Sequence, residues 1–299
     1  MLTEGLVRRA LEGERRAVAR LISVVESGGD HLGAIMQELY PHTGKTYSVG
    51  ITGAPGAGKS SLTDRLVARA RRDNLQVGVL AVDPSSPFSG GALLGDRVRM
   101  QNHATDPKVF IRSMATRGHL GGLALAAPEA VRVLDAAGHD LVLIETVGVG
   151  QAEVEITDAC DTTVVVLNPG WGDAVQAAKA GLMEIADVFV VNKADRPGTK
   201  ETVREVKAML QMSDAAFKPE IIETVAVKNE GIDELWGAIG RHRAYQEENG
   251  SLTARRRRRI NRELREIVAE RLRQRLAGGS GALLEELTDE VTARRIDPY

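Results

Sequence analysis

The residues with the most definite chemistry form a glycine-rich run from 53 to 60, Gly-Ala-Pro-Gly-Ala-Gly-Lys-Ser. The run matches the phosphate-loop pattern G-x-x-x-x-G-K-[ST] at every position. In such a loop, inward-pointing backbone N–H groups hold phosphate oxygens, the lysine reaches the β and γ phosphates, and the hydroxyl binds Mg²⁺. We therefore predict a nucleotide-phosphate site made of Gly53, Ala54, Pro55, Gly56, Ala57, Gly58, Lys59, Ser60 and Ser61.

The context of this loop also fits, because the apolar run Tyr47–Thr52 precedes it and the helix-like segment Ser61–Arg71 follows it. A second stretch, Gly44-Lys45-Thr46, resembles the end of the pattern. The first glycine of the pattern would fall on Leu39, so this stretch is not predicted to bind phosphate.

A second motif predicts which nucleotide base the site recognises. Asn192, Lys193 and Asp195 form an Asn-Lys-x-Asp box after the apolar run Val188–Val191. An aspartate can accept hydrogen bonds from guanine N1–H and the 2-amino group, which adenine does not offer in that arrangement. Asn192 can contact the opposite edge of the base, and Lys193 can lie along the ring. The box therefore favours GTP over ATP. A loop that contacts the base oxygen through backbone N–H groups is predicted at Val225, Ala226 and Val227, although Val225 stands where a serine is common.

Acidic residues at the ends of two other apolar runs predict the metal site. Glu145 ends the run that begins at Leu141 and opens Glu-x-x-Gly, similar to an Asp-x-x-Gly box, so Gly148 is expected to contact the γ phosphate. Asp83 ends another run and Asp96 lies in the polar segment after it. Because Mg²⁺ prefers oxygen ligands, we predict that Ser60 and Glu145 hold the metal. Either aspartate could reach it, directly or through water, and the alternative for each is loop solvation or helix capping.

The residue that activates water is less definite. Many GTPases place a glutamine directly after the glycine of this box. Here that place is taken by Val149, and Gln151 follows two residues later. We therefore predict slow intrinsic GTP hydrolysis, with Lys59, Glu145, Gly148 and Gln151 as the catalytic set and a partner or second subunit completing it.

Alternating strand-like and helix-like segments position these motifs. Seven apolar runs rich in Val and Ile lie between residues 46 and 240, the last at Ile221–Val227, which predicts a doubly wound, mostly parallel α/β sheet. Residues 1–45 and 241–299 have helical periodicity instead. We therefore predict an N-terminal helical extension over 1–45, a nucleotide-binding domain over 46–240 and a C-terminal helical region over 241–299.

Composition argues against several classes of protein. The 299 residues carry a net charge of −2 and only 3% aromatics, which disfavours a mainly nucleic-acid-binding protein. A single cysteine allows no intrachain disulfide, and no apolar stretch is long enough to span a membrane. We expect a cytoplasmic protein that contacts neither nucleic acid nor membrane. The five arginines from 255 to 259 are read as a solvated helix or dimer rim, with nucleic-acid contact as the less favoured alternative.

Longer segments resemble one family. The segment from 82 to 100, VDPSSPFSGGALLGDRVRM, looks like a signature of the MeaB/ArgK/MMAA G proteins, and three further segments are similar to them, at Ser113–Leu123, Glu145–Glu153 and Pro169–Asp195. The resemblance implies a homodimeric P-loop GTPase with a C-terminal dimerisation arm. It also implies a chaperone of a cobalamin-dependent acyl-CoA mutase, typically methylmalonyl-CoA mutase, that gates adenosylcobalamin delivery and protects or reactivates the mutase.

The resemblance also assigns positions in this chain. It implies that Asp83, Asp96 and Glu145 lie at metal and switch positions and that Asp195 reads guanine. It further implies that Pro169–Ala180 is a third switch, which relays the nucleotide state to the mutase and includes Asp173, Gln176 and Lys179.

Two other functions fit the sequence less well. A metal-insertion GTPase would often carry clustered His or Cys, whereas this chain has six scattered His and one Cys. A kinase acting on a transport protein would need a catalytic base and an acceptor site, and neither is evident in the sequence.

Overall fold

The protein is described from a computed structural model, which covers residues 2–27, 31–84, 100, 103, 105–116, 122–146, 159–170, 185–212, 216–279 and 281–297. Seven strands form one sheet in the order β3-β2-β4-β1-β5-β6-β7, and every neighbouring pair is parallel. The predicted α/β fold with a parallel sheet is therefore confirmed. The strands are β1 (Tyr47–Gly53), β2 (Val77–Pro84), β3 (Val109–Thr116), β4 (Leu141–Thr146), β5 (Thr162–Leu167), β6 (Val188–Asn192) and β7 (Glu220–Thr224).

All seven predicted apolar runs become strands, but the last one ends earlier than its apolar pattern suggests. Strand β7 stops at Thr224, and Ala226–Lys228 forms a turn of 3₁₀ helix. The turn is closed by a hydrogen bond from the Lys228 N–H to the Val225 carbonyl. Residues 225–227 therefore belong to a connection at the edge of the sheet.

Helices cover both faces of the sheet. Successive side chains of a strand point to opposite faces, so alternate residues of one strand enter different cores. Val164 and Val166 of β5 lie in one core, whereas Val165 and Leu167 lie in another. The helices are α1 (Leu2–Leu11), α2 (Arg15–Ser27), α3 (Leu32–Leu39), α4 (Lys59–Arg72), α5 (Gly122–Ala136), α6 (Thr199–Gln211), α7 (Ile232–Glu248), α8 (Ser251–Gly279) and α9 (Gly281–Thr292).

The N-terminal helices belong to the same core as α5 and one face of strands β2 to β4. Leu21 and Ile22 of α2 are fully buried there, and each such side chain stabilises the fold by about 1.5–3 kcal/mol. The chain then enters β1 through Gly44-Lys45-Thr46, whose backbone N–H groups all donate to the Asp135 carboxylate of α5. The phosphate-loop look-alike thus has a structural role.

Polar side chains join α7 to the amino ends of β1 and β5. The Tyr47 hydroxyl donates to the Gln246 side-chain carbonyl at 3.0 Å and hydrogen-bonds the Thr162 hydroxyl, which also contacts His242 Nδ1 at 2.8 Å. Burial raises the pKa of Tyr47 far above its usual value, so this hydroxyl remains protonated. The network anchors α7 at the end of the sheet opposite the glycine-rich loop.

The chain divides into two compact units, residues 1–252 and residues 253–299. The first contains the sheet together with α1 to α7, so residues 241–248, which complete α7, lie in it. The second contains most of α8 and all of α9. The predicted division at residues 45 and 240 stays a prediction. In the described part of the chain, no helix is both long and apolar enough to cross a membrane.

Candidate functional site

The glycine-rich loop connects the fully buried strand β1 to the start of α4 at the carboxyl edge of the sheet. Gly53 has φ of 130°, and a Cβ at this position would lie 2.1 Å from the Val166 carbonyl oxygen of β5. Gly58 precedes α4 in the left-handed region, with φ of 92°. Only glycine fits both backbone conformations without strain. The loop therefore brings backbone and the N-terminus of α4 together, as an anion site requires.

Lys59 and Ser60 are the first two residues of α4, and both are buried. The Lys59 ammonium donates to the carbonyls of Gly53 and Ala54, at 2.6 Å and 3.0 Å, so it lies within the curve of the loop. This is where a lysine must lie to reach the phosphates that the loop would hold. The structure thus assembles the predicted phosphate residues in one place.

Ser60 also reaches the predicted metal site. Its hydroxyl donates to Glu145 Oε1 at 2.6 Å, and Glu145, at the end of β4, is 1% exposed. A hydroxyl and a carboxylate are hard oxygen donors of the kind that Mg²⁺ prefers, so this pair fits the ion. Within the described residues, no group of three or more His, Cys, Asp and Glu side chains is placed to hold a metal, so the fit rests on Ser60 and Glu145.

The remaining predicted metal and switch residues are placed only in part. Asp83 is the penultimate residue of β2, two positions beyond Ala81, which pairs with Glu145 in the register of β2 and β4. Its backbone is therefore at the same edge as Glu145. Asp96, Gly148 and Gln151 lie outside the described residues, as does the third switch except for Pro169 and Gly170. Their roles stay predictions.

At the other end of the site, Asn192 connects three segments. It is 2% exposed, its Nδ2 donates to the Ala57 carbonyl at 2.8 Å, and its Oδ1 accepts from the Thr224 hydroxyl and the Ala226 N–H. Both ends of the amide thus contact protein groups. Asn192 fixes the glycine-rich loop relative to β7, and its predicted contact with a base stays a prediction.

Lys193 and Asp195 follow on the surface. Lys193 has φ of 61°, and its ammonium donates to the Gly56 carbonyl at 2.5 Å, so its side chain lies along the glycine-rich loop. The Asp195 carboxylate is paired with Lys228, with 3.1 Å between Oδ2 and Nζ. The hydrogen bond from Lys228 lowers the pKa of Asp195 below its usual value. Asp195 is therefore ionised at neutral pH, as an acceptor for two guanine donors must be.

The N–H groups of the loop at Val225, Ala226 and Val227 have partners within the protein. Val225 and Ala226 are buried, and their N–H groups donate to the Glu230 carbonyl and to Asn192 Oδ1, respectively. Val227 is 74% exposed. In this structure the first two N–H groups thus stabilise the loop, and their predicted contact with a base oxygen stays a prediction.

Sequence reasoning missed three residues at this end of the site. Thr224 donates to Asn192, Arg65 of α4 donates to the Ala226 carbonyl at 3.1 Å, and Lys228 pairs with Asp195. Each connects segments that are far apart in the sequence. The sequence shows that Lys228 is a cation next to the predicted base-binding loop. Its pairing with Asp195 could not be predicted, because the pairing depends on the path of the 3₁₀ turn.

Comparison with known proteins decides among the families that share this fold. The sequence model of the family described as "Methylmalonyl Co-A mutase-associated GTPase MeaB" matches residues 18–280. The chain belongs to this MeaB family. The match spans all the predicted site residues, so the predicted resemblance is confirmed and the protein is a P-loop GTPase of this family.

Individual relatives agree with the MeaB assignment. A protein of Pyrococcus abyssi (strain GE5 / Orsay) named as a GTPase is 50% identical, over 100% of this chain and 94% of that protein. The GTPase ArgK of Escherichia coli (strain K12) is 38% identical, over 78% of this chain and 73% of ArgK. A crystal structure of a protein described as an LAO/AO transport system kinase superposes with a TM-score of 0.75 at 28% identity, covering 99% of this chain and 93% of that one.

Proposed function

We propose that this protein is a GTP-hydrolysing chaperone of a cobalamin-dependent acyl-CoA mutase, with methylmalonyl-CoA mutase as the first candidate. It would gate the delivery of adenosylcobalamin and protect or reactivate the mutase, and we place both proteins in the cytoplasm. The observation that carries the proposal is the match over residues 18–280 to a family described as associated with this mutase. The buried Lys59–Ser60–Glu145 arrangement supports the GTPase part, because it fits a magnesium nucleotide.

The chemistry assigned to each residue follows from its position. Backbone N–H groups of residues 53–60 and the Lys59 ammonium would bind the phosphates of GTP, and Asp195 would accept from the guanine. Ser60 and Glu145, together with Asp83 and Asp96, would hold Mg²⁺, which neutralises charge on the β and γ phosphates. Gly148 and Gln151 remain the candidates for sensing the γ phosphate and orienting water. We expect slow intrinsic hydrolysis that the mutase or a second subunit accelerates.

We also propose that the protein is a homodimer that associates through its C-terminal unit. Four apolar side chains of α8 recur at every fourth residue and are between 38% and 56% exposed: Ile260, Leu264, Val268 and Leu272. Such a stripe is typical of a helix that buries this face against another surface. A Leu264→Glu variant should sediment as a monomer if this stripe forms the dimer, and an unchanged dimer would remove α8 from the interface.

The mutase proposal is tested by the GTPase rate, measured alone and with a purified cobalamin-dependent acyl-CoA mutase from the same organism. Turnover of GTP that rises with the mutase, and fails to rise in a Lys59→Ala variant, supports the chaperone and identifies its client. GTP turnover that is indifferent to every such mutase contradicts the chaperone role but leaves the GTPase assignment standing.

ATP is the control nucleotide, because the structural neighbour at 28% identity is described as a transport system kinase. Transfer of phosphate from ATP to a protein acceptor would favour that second function. A further solved structure, of HypB from Helicobacter pylori in complex with nickel, shares 16% identity, which indicates the fold alone.

A further inference from the structure

The side chain proposed to recognise guanine, that of Asp195, lies on the surface. The Asp195 side chain is 41% exposed, on the turn that follows β6. An exposed side chain keeps rotamer freedom, and fixing it on binding costs free energy. Reading two adjacent donors of guanine requires the carboxylate to hold one orientation, so something other than packing must provide it.

Lys228 is placed to do this, and it acts together with the backbone N–H of Asp195 itself and the charge of the neighbouring Arg196. Its ammonium lies 3.1 Å from Asp195 Oδ2, and this contact joins the turn after β6 to the turn after β7. Val225 has no hydroxyl, and its buried isopropyl group cannot hydrogen-bond a carboxylate. Orientation of Asp195 from this loop therefore falls to Lys228.

The backbone that carries Lys228 is itself held in place. Val225 and Glu230 exchange backbone hydrogen bonds of 3.1 Å and 3.3 Å, which close the loop around the 3₁₀ turn. The Ala226 carbonyl accepts from Arg65 of α4, and its N–H donates to Asn192 of β6. The turn is thus tied to the helix that carries Lys59 and to the strand that leads to Asp195, so the backbone of Lys228 is held beside Asp195.

We propose that Lys228 is a positioning residue for guanine recognition, which acts by orienting the Asp195 carboxylate towards the N1–H and 2-amino groups of the base. Its contribution is made through Asp195 and requires no contact with the nucleotide. The inference rests on the guanine-nucleotide site of the proposed function and adds a determinant of its selectivity.

The test measures the equilibrium affinity for GDP in the full-length protein. Lys228→Met keeps the length of the side chain and removes its charge, and should raise the GDP dissociation constant about fivefold, at the upper end of what an exposed ion pair contributes. Lys228→Arg restores a cation and should recover most of the affinity. Lys207→Met, at an exposed lysine of α6, is the matched control and should leave the affinity unchanged.

A double-mutant cycle separates positioning from direct contact. In an Asp195→Ala background, Lys228→Met should change GDP affinity by less than about twofold, because the group through which Lys228 acts is gone. A fivefold effect that persists in that background would overturn the proposal, and so would a Lys228→Met variant that binds GDP like the wild type.

The pH profile supplies a readout that a purely structural role would not change. Lys228 lowers the pKa of Asp195, so its removal should shift the loss of GDP affinity in acid to higher pH. An unshifted profile contradicts the proposal. Wild-type protein that binds ADP as tightly as GDP would remove guanine recognition itself, whereas wild-type preference for GDP with no effect of Lys228→Met would overturn only the role of Lys228.

Discussion

The phosphate end and the base end of the site lie at the same edge of the sheet but are built differently. At the phosphate end, Lys59, Ser60 and Glu145 are buried and contact backbone carbonyls or one another. At the base end, Asp195 and Lys228 form an exposed ion pair. The residues proposed to bind the phosphates of any nucleotide are thus buried and held by the fold, whereas those proposed to select the base are side chains on the surface.

This difference has a physical origin. A buried lysine or carboxylate is tolerated only where hydrogen bonds compensate its desolvation, so its position is set by the surrounding backbone. An exposed ion pair is screened by water and contributes little to stability. Changes at the phosphate end should therefore impair the binding or hydrolysis of every nucleotide alike, whereas changes at the base end should alter selectivity and leave the fold intact.

The largest effect is expected from Lys59→Ala, which removes the cation held within the glycine-rich loop. Affinity for GTP should fall by about 100-fold or more, because a buried charge on the phosphates is lost. Isothermal titration with GTP and with ATP measures it, and both should be lost together. The control is Lys45→Ala, in the look-alike stretch whose lysine is exposed. Normal GTP binding by Lys59→Ala would show that the loop is not the phosphate site.

A smaller and selective effect is expected from Asp195→Asn. The amide cannot accept from both guanine donors, but its NH₂ can donate to the 2-oxo group of xanthine. GTP affinity should fall roughly 10- to 100-fold, with a gain for XTP, as expected for two charge-assisted hydrogen bonds. Competition between the two nucleotides measures the exchange. If base preference is unaltered, Asp195 does not read guanine.

Glu145→Gln tests the metal position with a more modest change. The glutamine carbonyl can still accept from Ser60, so the variant removes charge and preserves shape. The Mg²⁺ concentration that gives half-maximal GTPase activity should rise about tenfold. Glu223→Gln, on the exposed surface of β7, is the matched control. An unchanged Mg²⁺ requirement would place the metal elsewhere.

The smallest effect is expected from pH. The pKa of Asp195 is lowered by Lys228, so the carboxylate stays ionised as the pH falls from 8 to about 5, and protonation begins only below its ordinary value near 4. The ratio of GDP to ADP affinity should stay constant within about twofold over that range. A ratio that collapses between pH 8 and pH 5 would contradict an ionised Asp195 as the base reader.

The sequence predicted the phosphate end more fully than the base end. Seven apolar runs predicted the parallel strands. The motifs predicted that Lys59, Ser60 and Glu145 share one site, because each follows or ends a strand and a parallel sheet aligns those strand ends. The Lys228–Asp195 pair depends on where β7 stops. Apolar residues continue to Val227, so periodicity alone could not show that the chain turns after Thr224.

The same limit applies to Asn192. Its place in the Asn-Lys-x-Asp box predicts contact with the base, which stays a prediction, but it did not indicate that both ends of the amide connect loops of the site. A motif indicates which residue types meet at a site. It does not indicate which of them also connect other segments, because that depends on hydrogen bonds between residues distant in the sequence.

The most direct test is a competition series on the wild-type protein, in which nucleoside diphosphates with different bases compete for the site. It tests whether the site recognises guanine. GDP, IDP and ADP share their phosphates, IDP lacks only the 2-amino group, and ADP lacks both guanine donors. We predict that GDP binds most tightly, IDP about tenfold more weakly and ADP at least about 100-fold more weakly, as expected for one and two lost hydrogen bonds to a charged acceptor. Equal affinities for the three would contradict the account.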